Sequence, residues 1–217
     1  MGGTPWRWTR VLVCVLGAGL ATGCSTNQLY STEDHNNFKL KPNDLQDHGV
    51  AFITPSTVTG QEQDKQTLAL LVGKALTEAR PGVRVIPLPE TLSAVNRAGY
   101  AGKYRAMYDD YQSTGIFPRD ILQRVGEVAG VRYLVQLKLA SFSQNSQERF
   151  AVFGMRLFET KRASIRLFAQ IWDSYEGAIV WEGVEELNYA YDTGREVPVT
   201  FRIVVEEATR RLVQQLP

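Results

Sequence analysis

Few side chains in this 217-residue chain could carry chemistry, and their spacing argues against most kinds of it. The histidines are His35 and His48, and the cysteines are Cys14 and Cys24. No HExxH or CxxC pattern occurs, and the two histidines lack the spacing and surroundings of a metal site. No histidine follows His48, so a Ser-His-Asp arrangement has no base in the rest of the chain. G-x-S-x-G elbows and phosphate-binding loops are absent too. Adjacent acids stand at Asp109-Asp110, Glu185-Glu186 and Glu206-Glu207. Neighbours point about 100° apart on a helix and to opposite faces on a strand, so none of these pairs forms a carboxylate dyad. The expectation is a protein that is not an enzyme, with no metal and no catalytic residue.

Two aromatic groups point towards binding instead. Tyr100, Tyr104, Tyr108 and Tyr111 repeat every three or four residues and fall on one stripe of a helix. Tyrosine offers rigid amphipathic contact area, so the stripe is a candidate surface for a protein partner or for stacking on glycan rings. The same spacing serves packing on the domain's own core, with the hydroxyls at its rim. Residues 150–158 are unusually apolar between polar flanks and include Phe150, Phe153 and Phe158. They read either as a strand or hairpin tip that docks a partner or touches membrane, or as an ordinary edge strand. A single marginal strand carrying Arg156 is poor material for a pore, which needs strands of ~9–11 residues with lipid-facing alternation.

Cys24 closes a segment in which Arg7 and Arg10 precede an apolar run and then small residues up to Gly23. That order is a secretory signal peptide. Residues 11–23 would rise only roughly 20 Å as a helix, short of the ~30 Å hydrocarbon core. Leu20-Ala21-Thr22-Gly23-Cys24 resembles the lipobox of bacterial lipoproteins, with Ala21 and Thr22 in place of commoner residues. The resemblance implies cleavage between Gly23 and Cys24 and acylation of Cys24, a covalent lipid being the only cofactor expected. Ser25 after the cysteine, rather than aspartate, implies the outer membrane by the sorting rule of enterobacterial lipoproteins. Cys14 would leave with the leader, so no disulfide is available to the mature chain. The leader also removes two of the 24 basic residues and none of the 23 acids, leaving a near-neutral protein with no electrostatic footprint for nucleic acid.

The elements that must hold these residues are legible from periodicity. Residues 25–47 are polar and read as an unstructured tether, with a single domain over 49–217. Residues 49–53 form a buried strand. Leu68, Leu71, Val72, Ala75, Leu76 and Ala79 stripe a helix over 61–79 that ends at Arg80-Pro81-Gly82. A short strand at 83–86 and helices at 90–98 and 100–111 follow. The next helix, from Pro118, is capped by Gly130. Alternation from Val131, and again over 163–171, marks long strands, and Asp173 to Gly177 turns the chain into a hairpin partner over 179–189. A helix from about Val197 closes the chain. The fold class is α+β, a mixed β-sheet with helices packed on it.

Val50-Ala51-Phe52-Ile53, the helix 68–79, Gly82-Val83-Arg84-Val85-Ile86, the run 126–135 and the hairpin Trp172-Asp173 … Gly177 … Val180-Trp181 together resemble the TolB amino-terminal-domain family. Its lipoprotein relatives include LpoB, FlgO and the curli secretion lipoprotein. The likeness covers most of 49–217, with longer segments at 100–117 and at the loop around 143–161. It implies fold more than activity. These readings lead to one expectation: a lipid-anchored periplasmic scaffold or adaptor of the bacterial envelope. Its partner would be an envelope protein or a peptidoglycan-associated complex, bound without catalysis. The alternatives are glycan or small-ligand binding through the tyrosine stripe, and a homo-oligomeric subunit of a secretion assembly.

Overall fold

The computed structural model describes residues 27–152, 155–193 and 200–217; for 27–28, 146–152, 155–161 and 191–193 it describes the backbone alone. The strands are β1 (Asn27–Asn37), β2 (Val50–Phe52), β3 (Ser56–Thr57), β4 (Val85–Ile86), β5 (Tyr133–Val152), β6 (Met155–Asp173) and β7 (Ala178–Thr193). The helices are α1 (Asp44–His48), α2 (Glu62–Ala79), α3 (Leu88–Arg97), α4 (Ala101–Thr114), α5 (Arg119–Ala129) and α6 (Phe201–Gln214). The strands form one mixed sheet in the order β1-β7-β6-β5-β2-β4, with β3 paired to β5 off this path. β5, β6, β7 and β1 are antiparallel neighbours, while β2 runs parallel to both β5 and β4. The α+β architecture expected from periodicity is the one observed.

Helices cover the two faces unequally. On the first face, Leu68, Leu71, Val72 and Leu76 of α2 and Val204, Val205, Ala208 and Leu212 of α6 pack on Val135, Leu137, Ile165, Leu167, Trp181 and Leu187. Fully burying each such side chain is worth about 1.5–3 kcal/mol, so this layer supplies much of the fold's driving force. On the second face α3, α4 and α5 bury Val95, Met107, Leu122 and Val125 against Ala51, Ile53, Leu134 and Trp172. α5 ends where Gly130 takes φ 70°, and Val131 N–H returns to Gly126 O at 3.0 Å, a left-handed cap that turns the chain into β5. The second helical layer stops at the first rows of β5 and β6. Beyond it, no helix among the described residues covers that face of the sheet.

Three expectations are corrected by these elements. The segment 25–47 is no tether from Asn27 onwards. β1 pairs residue by residue with β7 from Asn27↔Tyr191 to Asn37↔Trp181, and Leu40 and Leu45 are buried behind it. A polar strand is stable there because backbone pairing holds it, and a polar edge resists unwanted pairing. The domain therefore begins at or before Asn27 rather than at Gly49. The loop around 143–161 is the outer part of a long hairpin, β5 pairing with β6 out to Val152↔Met155. The last helix starts at Phe201, where Thr200 Oγ1 accepts from Ile203 N–H at 3.4 Å.

Candidate functional site

The tyrosine stripe lies on α4 as its spacing requires, but it faces inward. Tyr104 is buried, and Tyr100, Tyr108 and Tyr111 are partly buried against the second-face core. Tyr104 Oη accepts from Thr54 N–H at 3.0 Å and shares a bond of the same length with Thr54 Oγ1. Tyr111 stacks on Phe117 with centroids 4.1 Å apart, and Phe117 meets Trp172 edge-on at 5.2 Å. Burial pushes the Tyr104 and Tyr111 hydroxyls up, and pushes Tyr108 well above its ordinary value, with Tyr104 adding to it. The stripe as an exposed recognition surface is thus corrected: the aromatic rings buttress the sheet. Rings packed on a core in this way have little face left for a sugar to stack on.

The rims of the stripe lead to the bare sheet face. Tyr108 Oη donates to Gln136 Oε1 and Tyr111 Oη to Gln170 Oε1, both at 3.3 Å. Gln170 Nε2 donates to Glu182 Oε2 at 3.4 Å, and Asn36 Nδ2 to Glu182 Oε1 at 3.2 Å. Asn36, Glu182, Gln170 and Gln136 form one register row across four strands. The next row outward is Asp34, Val184, Phe168 and Lys138. Phe168 is 37% exposed there, beside a shallow depression of about 110 Å³. A third row brings Thr32, Glu186, Arg166 and Ser141 together, with Arg166 paired to Glu186. Tyr30, 67% exposed, continues this face along β1. The surface is a polar platform around Phe168, with Tyr30 at its outer end.

The adjacent acids diverge as geometry demands. Glu186 meets Arg166 on the bare face while Glu185 is buried beneath α6. Glu206 pairs with Arg202 and Glu207 with Arg210 and Arg211. Asp173 is buried at the hairpin turn: burial would raise its carboxyl, but bonds from Arg132 at 2.6 and 2.9 Å, and from the Tyr175 and Glu176 amides, hold it below the usual range. These contacts make it a turn anchor. His48 packs near Tyr133 with ring centroids 6.1 Å apart, and His35 is exposed on β1. Among the described residues no three metal-ligating side chains converge, and no helix is long and apolar enough to cross a membrane. A recess of about 630 Å³ lies between α2 and the start of α3, lined by Leu70, Gly73, Val85 and Leu88.

Gly23, Cys24 and Phe153 lie outside the described residues, and Phe150 and Phe158 are placed by backbone alone, opposite each other near the hairpin tip. The platform was not foreseen. Alternation puts Gln136 and Lys138 on one side of β5, and Gln170 and Phe168 on one side of β6, but nothing local states which strand pairs with which, or in what register.

No protein-family model matches the chain, and no curated protein sequence matches it. Among solved structures it is similar to the PelC dodecamer from Paraburkholderia phytofirmans, at 11% identity over 88% of this chain and 94% of that one, with a TM-score of 0.42. It is also similar to lipoprotein GNA1162 from Neisseria meningitidis, at 11% identity over 77% of this chain and 96% of that one, with a TM-score of 0.37.

Proposed function

We propose that this protein is a lipid-anchored, non-catalytic adaptor of the bacterial cell envelope, built on a TolB-amino-terminal-like domain. Cys24 carries its acyl anchor at the outer membrane, and the domain faces the periplasm. No cofactor beyond the lipid takes part. The observation that carries the reading is the bare sheet face: four strands present Phe168, Val184 and Tyr30 among polar side chains where no helix among the described residues covers them. An exposed aromatic on a broad, rigid face, ringed by amide and carboxylate groups, is the composition of a protein-binding patch rather than of a reaction centre. The partner is accordingly an envelope protein.

Replacing Phe168 with a photo-crosslinking phenylalanine in the full-length protein tests this in intact cells. The expected result is a discrete crosslink to an envelope protein, identified by mass spectrometry. Crosslinks that form from Leu70 but not from position 168 would refute the proposed face and move the interface to the groove beside α2. Crosslinks to copies of the same chain would favour a homo-oligomeric assembly instead.

A further inference from the structure

We propose that the tip of the β5–β6 hairpin dips into the membrane leaflet that holds Cys24, an inference that rests on the lipid-anchor reading. The argument is one of register. Asn27, the start of β1, stands in one row with Tyr191, Lys161 and Ser146. Three residue steps separate Asn27 from Cys24, so even a fully extended chain keeps the acylated residue within about 11 Å of that row. β5 runs on past the row through residues 147–152, and β6 returns through 155–160. At about 3.3 Å per residue this carries the hairpin about 20 Å beyond the row. The tip therefore extends further from the domain than the anchor can reach.

Composition changes along the same stretch. Residues 145–149 on the outgoing strand and 159–162 on the returning one are polar or charged, with Arg149, Lys161 and Arg162 set against Glu148 and Glu159, a small basic excess. Past this collar the paired positions are Phe150↔Phe158, Ala151↔Arg156 and Val152↔Met155. The small basic excess at the level of the anchor suits anionic headgroups. An end about 10 Å long, apolar apart from Arg156, matches the depth to which interfacial segments bury, arginine being a residue whose long stem lets its charge stay at the interface. Spanning the ~30 Å core would take strands of ~9–11 apolar-alternating residues, so the tip enters one leaflet and forms no pore. The lipid and the hairpin would then hold the domain at two points, fixing its orientation as well as its location.

Single-cysteine labelling of the full-length protein separates this inference from the anchor reading. With Cys14 removed in the leader and Cys24 acylated, Val152→Cys and Leu70→Cys variants each offer one free thiol. Each is purified from membranes, labelled with an environment-sensitive fluorophore and reconstituted into phosphatidylethanolamine–phosphatidylglycerol vesicles. The label at position 152 is expected to become several-fold less accessible to iodide than the label at position 70, which sits on the exposed side of α2. Met155→Cys repeats the test should Val152→Cys not fold. Equal iodide access at the tip and at position 70, with one label per chain, overturns the hairpin inference alone. Two labels per chain mean that Cys24 is free, which overturns the anchor reading and this inference with it. A tip label shielded in cell envelopes but open in protein-free vesicles assigns the tip to a protein partner and overturns the lipid proposal.

Discussion

Glu185 sits on the inward row of β7 beneath α6, with no exposed surface. Its Oε1 accepts from Ser31 Oγ at 2.5 Å, while Oε2 is buried without a hydrogen-bond partner. Burial drives the carboxyl from 4.5 up to about 7; the Ser31 bond opposes this, Glu33 adds to it, Arg211 opposes it and Glu207 adds again. The sign of the consequence follows from proton counting. Between the two values the folded protein keeps a proton that the unfolded chain has lost, so stability falls as pH rises through that window and levels off above about 7. At about 1.4 kcal/mol per pH unit, the gap is worth about 3 kcal/mol. Glu185→Gln has nothing to titrate, so its stability should lack this descent. Relative to wild type, the variant is expected to gain up to about 3 kcal/mol between pH 5 and pH 8. Urea unfolding at pH 5, 6, 7 and 8, followed through the buried Trp172 and Trp181, measures the difference directly. A wild-type-minus-variant difference that stays constant over that range would falsify the reasoning.

Two further substitutions test the packing. Tyr104→Phe leaves the Thr54 N–H without its acceptor and should cost about 1–2 kcal/mol in urea unfolding; an unchanged midpoint would mean that the hydroxyl's bond to Thr54 adds nothing to stability. Gly126→Ala places a Cβ against Ser174 Oγ and 2.9 Å from Val131 O, and should cost about 1–3 kcal/mol. Gly102→Ala, in open space on α4, should instead raise the thermal midpoint slightly, by a few tenths to about 1 kcal/mol in stability, and equal effects at the two glycines would contradict the close packing of α5 on the turn.

What could be read from the sequence was whatever a local period encodes. The 3.6-residue spacing of Leu68, Leu71, Val72 and Leu76 and the period of two in β5, β6 and β7 reflect burial on one side of an element, and burial follows from side-chain type. The outer hairpin escaped because its alternation breaks phase: a register shift between Leu139 and Ser141 changes which residues of β5 face inward, and the backbone register shifts again between Glu148 and Phe150. The inward place of Glu185 was half legible. It alternates with Trp181, Gly183 and Leu187, but that α6 would cover it depends on a contact between distant segments. The polar row of the candidate platform depends on pairing among four strands, and each of its residues alone looks like ordinary surface.

β1 escaped because it is polar nearly throughout and offers no apolar alternation to read, and its presence changes how the proposed adaptor would work. A flexible tether over 25–47 would let the domain roam, its ends separated by about 5–6 Å × √n. With the sheet starting at Asn27, two residues separate it from Cys24, and the reach falls to about 11 Å. The far end of β1, at Asn37, then lies about 33 Å further along the strand, where α3, α4 and α5 cover the sheet. Phe168 shares a row with Asp34, seven residues from Asn27 and so about 23 Å along the strand. On the adaptor reading, whatever binds this face does so within a few tens of ångströms of the lipid anchor, and without slack. On that reading, such a surface would select a partner whose own domain stands at the membrane and not one that must be fetched from across the periplasm.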